Sequence, residues 1–177
     1  MAAAGSEVID ERGGMDRLLG ALAFMDDNVI DTGILVKPHD PSALNADVIM
    51  IDDDKKQNSD NLTVGNVAGF HEFGFGVPER SFVRIGIDAH TLMIERFIGD
   101  EIRAAINGRK AAVAMANIGE FVADRMKYAI TASLHGRPLS KKRLEKKQQI
   151  GTPRTPLINW GIMIDTLNYN VYPVVIS

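Results

Sequence analysis

Apolar positions between Met15 and Met25 recur at helical spacing, so that Leu18, Leu19, Leu22 and Met25 share one face after the Gly13-Gly14 pair. From Ile30 to Val36 the period shortens to two, with Ile30, Thr32, Ile34 and Val36 alternating, and Val48-Ile49-Met50-Ile51 reads as a second strand. Pro38, Asp40, Pro41 and Ser42 mark a loop between them, which predicts an antiparallel hairpin. The polar run from Asp52 to Asp60 predicts a solvated, mobile loop. Helical spacing returns from Asp88, the expected N-cap, to Ile106, through Ile94, Phe97, Ile98, Ile102 and Ala105, and Asn107-Gly108 should end that helix. A second long helix is expected from Ala111 to Ser133, with Ile118, Phe121, Val122, Met126, Ala129 and Ile130 on one face, ended by His135-Gly136-Arg137-Pro138. Ser140 is placed to cap a lysine-rich helix. Leu167 to Val175 alternates as a final strand, whose end Pro173 confines to a sheet edge.

The expected architecture is α+β: a small, mostly antiparallel sheet packed by two long helices, with long polar loops. A single domain is expected over residues 1–177. Residues 1–14 form a flexible arm in this reading, and residues 137–156 a long loop or arm with a short basic helix. A chain of 177 residues, 45% hydrophobic, is long enough for one buried core.

Charge changes this picture little. The formal net charge is -3, so no global basic field points to nucleic acid, and any DNA contact must be local. The absence of cysteine excludes disulfides, thiolate metal sites and cysteine nucleophiles. Residues 1–7 lack the charge and apolar core of a signal peptide, and no apolar run approaches the roughly 18 residues of a membrane span. A soluble, intracellular product is expected.

Candidate chemistry is sparse. His71-Glu72 invites a zinc reading, but Ala68 and Phe75 stand where a second histidine one turn away would be needed. Local hydrogen bonds or an intersubunit polar contact, at a helix end broken by Gly74, explain the pair better. Asp31-Thr32-Gly33 matches the triplet that carries the catalytic carboxylate of aspartic proteases, and a homodimer would supply the second carboxylate. Ile34 and the helical chain that follows oppose this, and a strand-end turn is the preferred explanation. The glycines of Val64-Gly65-Asn66 and Gly74-Phe75-Gly76 lack the lysine and spacing of a phosphate cradle. The cluster from Lys141 to Lys147 would suit DNA phosphates, but Glu145 interrupts it and no aromatic residue offers a stacking platform, so a solvated helix face is preferred. His39, His71, His90 and His135 are scattered and no serine sits in a nucleophile elbow, so no triad assembles. No enzyme, cofactor or metal is expected.

The most specific stretch runs from Val67 to Arg84. A helix ending in Ala-x-x-His-Glu-Phe-Gly, then a proline, then Arg-x-Phe-x-Arg resembles the pattern of neck and tail-completion (tail-component, virion-morphogenesis) proteins of long-tailed bacteriophages. Here those positions are Ala68, His71, Glu72, Phe73, Gly74, Pro78, Arg80, Phe82 and Arg84. The order downstream is similar too: two helices, a lysine-rich helix, Thr155-Pro156-Leu157-Ile158-Asn159-Trp160-Gly161, and a C-terminal strand. Relatives commonly carry Asp-Thr-Gly where this chain has Asn159-Trp160-Gly161, and proline where it has Ser81. The resemblance spans roughly residues 62–171. It implies a structural subunit of a head-tail connector, a ring of six or twelve copies between portal and tail that lets DNA pass. The implied partners are portal or adaptor and tail-terminator or tail-tube proteins, with no membrane and no sequence-specific DNA contact.

As residues, Phe70, Phe73, Phe75 and Phe82 would cluster aromatic area at a proline-restrained turn, and aromatics with arginine are enriched at interface hot spots. Arg80 and Arg84 are expected on one face of a strand, facing a neighbour's carboxylates, with Glu72 the natural candidate. The alternative, phenylalanines filling the core and arginines as surface charges, stays open at this point.

Overall fold

The computed structural model describes residues 11–34, 64–134, 136, 138–158 and 161–174. Among them the chain forms α1 (Glu11–Asp26), β1 (Asn28–Ile34), α2 (Val64–Phe73), α3 (Phe82–Asp88), α4 (Thr91–Ile106), α5 (Ala111–Thr131), α6 (Lys141–Gln149), α7 (Ile162–Thr166) and β2 (Leu167–Pro173). This is an α+β fold, with helices packed on a two-stranded antiparallel sheet.

β1 pairs with β2 in a register running from Asn28↔Pro173 to Ile34↔Leu167. The strand partner that the described residues give to β1 is therefore the distant C-terminal strand, and the hairpin expected with Val48–Ile51 lies outside the described residues. The alternation foreseen in both strands explains the pairing. Ile30, Thr32 and Ile34 share a face with Val171, Tyr169 and Leu167, and that face lies on α5. The other face carries Val29, Asp31, Asn168, Asn170 and Tyr172 to solvent. Asp31-Thr32-Gly33 thus sits inside a paired strand rather than at the expected turn. Its backbone groups belong to the ladder, and Asp31 stands opposite Asn170.

α5 is the spine. Its buried Ala114, Met115, Ile118, Ala123, Met126, Ala129 and Ile130 follow the 3.6-residue period. Two glycines set its contacts. A Cβ at Gly119 would stand 2.6 Å from the Tyr169 ring, so β2 lies directly on the helix there, and a Cβ at Gly86 would stand 2.8 Å from Met126 Cα, where α3 crosses. The core joins Val64, Ala68, Phe82, Met126, Ala129, Ile130, Met163 and Leu167.

α4 and α5 form an antiparallel pair that turns at Gly108, where φ is +108°. The pair is held by Phe97 stacked on Phe121 at 4.2 Å and by the buried Glu101 carboxylate, which accepts from Arg109 at 2.5 Å and Asn117 at 3.0 Å. The Arg109 hydrogen bond draws the Glu101 pKa below the usual carboxylate value, against the opposing effect of burial.

Two helix starts differ from expectation: α1 begins at Glu11 rather than Met15, and α4 at Thr91 rather than Asp88. Asp88 closes α3 instead of capping the long helix, and the backbone at His90 precedes α4 while its ring Nδ1 lies 2.8 Å from Gly86 O. In α1, Leu18 and Met25 are half-buried, whereas Leu19 and Leu22 are exposed beside Met15, so the four residues divide between two faces. No helix among the described residues is long and apolar enough to cross a membrane.

Candidate functional site

Residues 64–84 fold into a helix, a glycine turn and a second helix, closed by one carboxylate. α2 ends at Phe73 with Gly74 at φ +73°, and the Phe75 amide donates 3.0 Å back to Phe70 O, the six-to-one bond of a Schellman cap. A Cβ at Gly74 would stand 3.1 Å from Glu79 Cβ. The Arg80 amide then donates 2.7 Å to His71 O, which folds the turn back along the helix.

Glu72, buried at the last turn of α2, reaches across this turn. Its Oε2 accepts the Val83 amide at 3.0 Å and its Oε1 the Arg84 amide at 3.1 Å, so one carboxylate satisfies two orphan donors at the N-terminus of α3. The Arg84 guanidinium donates to Glu72 O at 3.2 Å, Glu79 Oε1 at 3.2 Å and Ser81 Oγ at 2.9 Å. The Ser81 hydroxyl lies 2.9 Å from Glu79 Oε1 and 3.1 Å from Glu72 O, and its single proton serves one of them at a time.

This arrangement corrects the reading of Arg80 and Arg84 as two residues on one strand face. The segment Phe82-Val83-Arg84-Ile85-Gly86-Ile87 is β-prone by composition, yet it is helical, because Glu72 caps it from outside and Gly86 lets it press on α5. Arg80 precedes the helix and is buried, whereas Arg84 is partly exposed and binds carboxylates of its own chain. Nor do the phenylalanines form one cluster. Phe82 is 1% exposed in the core, while Phe73 and Phe75 pair at a centroid distance of 5.7 Å and are 63% and 65% exposed. His71 is half-buried and Pro78 exposed on the turn. The residues of the segment therefore sort into an internal clasp of Glu72, Ser81 and Arg84 over a Phe82 anchor, and an outward pair, Phe73 and Phe75.

α6 departs from the solvated helix expected of it. Ser140 caps it as foreseen, its Oγ accepting the Arg143 amide at 3.4 Å, and Lys141 and Lys142 are exposed. Lys147, however, is 3% exposed. A second Schellman bond, from the Thr152 amide to Lys147 O at 2.9 Å, turns the chain back at Gly151, and the Lys147 Nζ donates to Pro153 O at 2.9 Å, Thr155 O at 2.8 Å and Ile158 O. Burial draws its pKa down to about 8, with the Arg143 and Arg80 charges adding to the effect. Helical periodicity held the signal: Lys147 lies three residues after Leu144, on the face that Leu144 turns inward.

Asp31 is exposed on the outer sheet face and accepts from the Tyr172 hydroxyl at 2.5 Å, which raises the tyrosine's pKa. Among the described residues no group of three or more His, Asp or Glu side chains is placed to hold a metal ion. No protein-family model, curated protein or solved structure matches the chain.

Proposed function

We propose that this protein is a structural subunit of a phage head-tail connector, a neck or tail-completion protein that joins portal to tail as a homo-oligomeric ring and lets DNA pass. The observation that carries the reading is the division of residues 67–84. The residues bearing the resemblance build a turn whose backbone is held by a charge-assisted cap, and that turn presents Phe73 and Phe75 to solvent. Two exposed aromatic rings on a braced turn suit an interface anchor, since they lose little side-chain freedom on docking. A ring also needs a second, different surface on each subunit to receive the first. Exposed apolar side chains stand elsewhere, with Leu92 at the start of α4 82% exposed and Met93 beside it. In this reading the ring lies in the virion neck, against portal or adaptor on one side and tail-terminator or tail-tube protein on the other, with no catalytic role.

The test is assembly. Purified protein, alone or mixed with portal and tail-tube proteins, should form closed rings of six or twelve subunits by negative-stain microscopy and sedimentation, and the chain should be present in intact virions. A monodisperse monomer that never joins purified virions overturns the reading.

A further inference from the structure

We infer that α6 is a contact surface for the phosphate backbone of duplex DNA, made by Lys141 and Lys142 with Arg143, Lys146 and Arg154 beside them. Residues 141–147 carry five cations against one carboxylate, Glu145, in a chain whose net charge is -3. The structure adds three facts to that count. First, α6 is held from one side: Lys147 is fixed inward by three carbonyl oxygens, so the rotation of the helix about its axis is set and the opposite face is left to solvent. Second, Lys141 and Lys142 are exposed in the first turn of that helix, and half-buried Lys146 stands one turn after Lys142, about 5–6 Å away between Cβ atoms. Arg154 returns alongside, its guanidinium donating to Gln148 Oε1 at 3.1 Å, so a fifth cation joins, from the strap that follows, the four of the helix that are not turned inward. Third, the exposed positions of α6 are Lys141, Lys142, Glu145, Gln148 and Gln149, with no apolar side chain among them.

The third fact selects the ligand. A protein partner needs an apolar core to its interface, and a single strand needs aromatic platforms for its bases. α6 offers neither. It offers a row of cations across a nine-residue helix, about 13 Å long, which is suited to backbone phosphates and reads no base. Such contact is sequence-independent, weak and salt-sensitive, as a wall beside moving DNA requires. The connector reading supplies only the place where DNA is met, and the contact itself is measured without it.

Fluorescence anisotropy of the full chain with a labelled duplex of about 30 base pairs tests this at salt from 50 to 200 mM. Expected are a dissociation constant of roughly 10⁻⁴ to 10⁻⁶ M, equal for two unrelated sequences, and a log-log salt slope of about -3 to -4, near -0.9 per phosphate contacted. Lys141→Glu with Lys142→Glu, both exposed, should weaken binding at least about tenfold and reduce the slope by about 2, with an unchanged thermal melt. Arg96→Glu, an exposed charge on α4, should change it less than about twofold by the same additive logic. Absence of binding at 50 mM salt, an equal loss in the Arg96 variant, or an equal hold on poly-glutamate at matched charge overturns the inference. Rings that form without binding duplex overturn it and leave the connector reading standing. A monomer that binds duplex through α6 does the reverse.

Discussion

Lys147 puts a positive charge where burial penalises it, and its surroundings make the pH response a readable quantity. Burial and two neighbouring cations draw its pKa to about 8 from the ordinary 10.5, while three carbonyl acceptors favour the ammonium form. A base whose folded pKa is depressed releases its proton in the native state first. Between about pH 8 and 10.5 the unfolded chain binds more protons, so stability rises with pH across that window, and below pH 8 the cost of the buried charge is present in full. Relative to Lys147→Met, which does not titrate, wild-type stability in urea melts is therefore expected to climb from pH 8 to 10.5. A flat or falling difference would show that the carbonyl cage outweighs burial. Gly86 gives a second test at this scale. Its missing Cβ is the space taken by Met126 Cα at 2.8 Å and Arg125 O at 3.0 Å, both backbone atoms that cannot swing aside. Gly86→Ala is expected to cost about 1–3 kcal/mol, visible as a lower melting temperature.

At the scale of elements, what could be read from the chain follows from what is local. α4 and α5 were legible because their apolar residues recur at 3.6 over many turns, α6 because Ser140 stands where a cap must, and the end of α2 because Gly74 takes a positive φ. α3 was hidden. Its Phe, Val and Ile content reads as strand, and the group that makes it a helix, the Glu72 carboxylate, is eleven residues away from the Val83 amide. The partner of β1 was hidden for a similar reason, since Thr32 and Tyr169 meet across most of the chain length. The clasp was half legible: the sequence left His71 and Glu72 between local hydrogen bonds and an intersubunit contact, and did not show the pair of amides that Glu72 holds within its own chain. Its worth is measurable. Glu72→Ala strands two donors at the start of α3 and is expected to destabilise by about 1–3 kcal/mol. Glu72→Gln, which keeps an acceptor for one amide, should recover part of that loss. Equal stability of all three proteins would show that α3 needs no cap.

For the molecule as a whole, the decisive separation is between residues that hold the subunit and residues that would join subunits. Phe82 and Phe73 belong to the same short motif, yet one is sealed in the core with Met126 and Ile130 and the other stands in solvent beside Phe75. Replacing the outward pair therefore removes little from the folded monomer. Phe73→Ser with Phe75→Ser is expected to alter unfolding free energy by about 1 kcal/mol or less, the range of surface changes and of one aromatic pair. Assembly should respond differently, because a central aromatic anchor commonly contributes 2 kcal/mol or more to an interface, roughly a thirtyfold change in association for each contact. In a closed ring every subunit makes that contact, so the loss repeats at each joint and closure should fail well before the subunit unfolds. The measurement is paired: urea melts on the monomer and sedimentation of the assembly for the same double variant. Unchanged melts with lost rings would place the two phenylalanines at the joint. Rings that persist would leave that role to the apolar side chains of α4, and a large drop in the melts would return Phe73 and Phe75 to the stability of the turn itself.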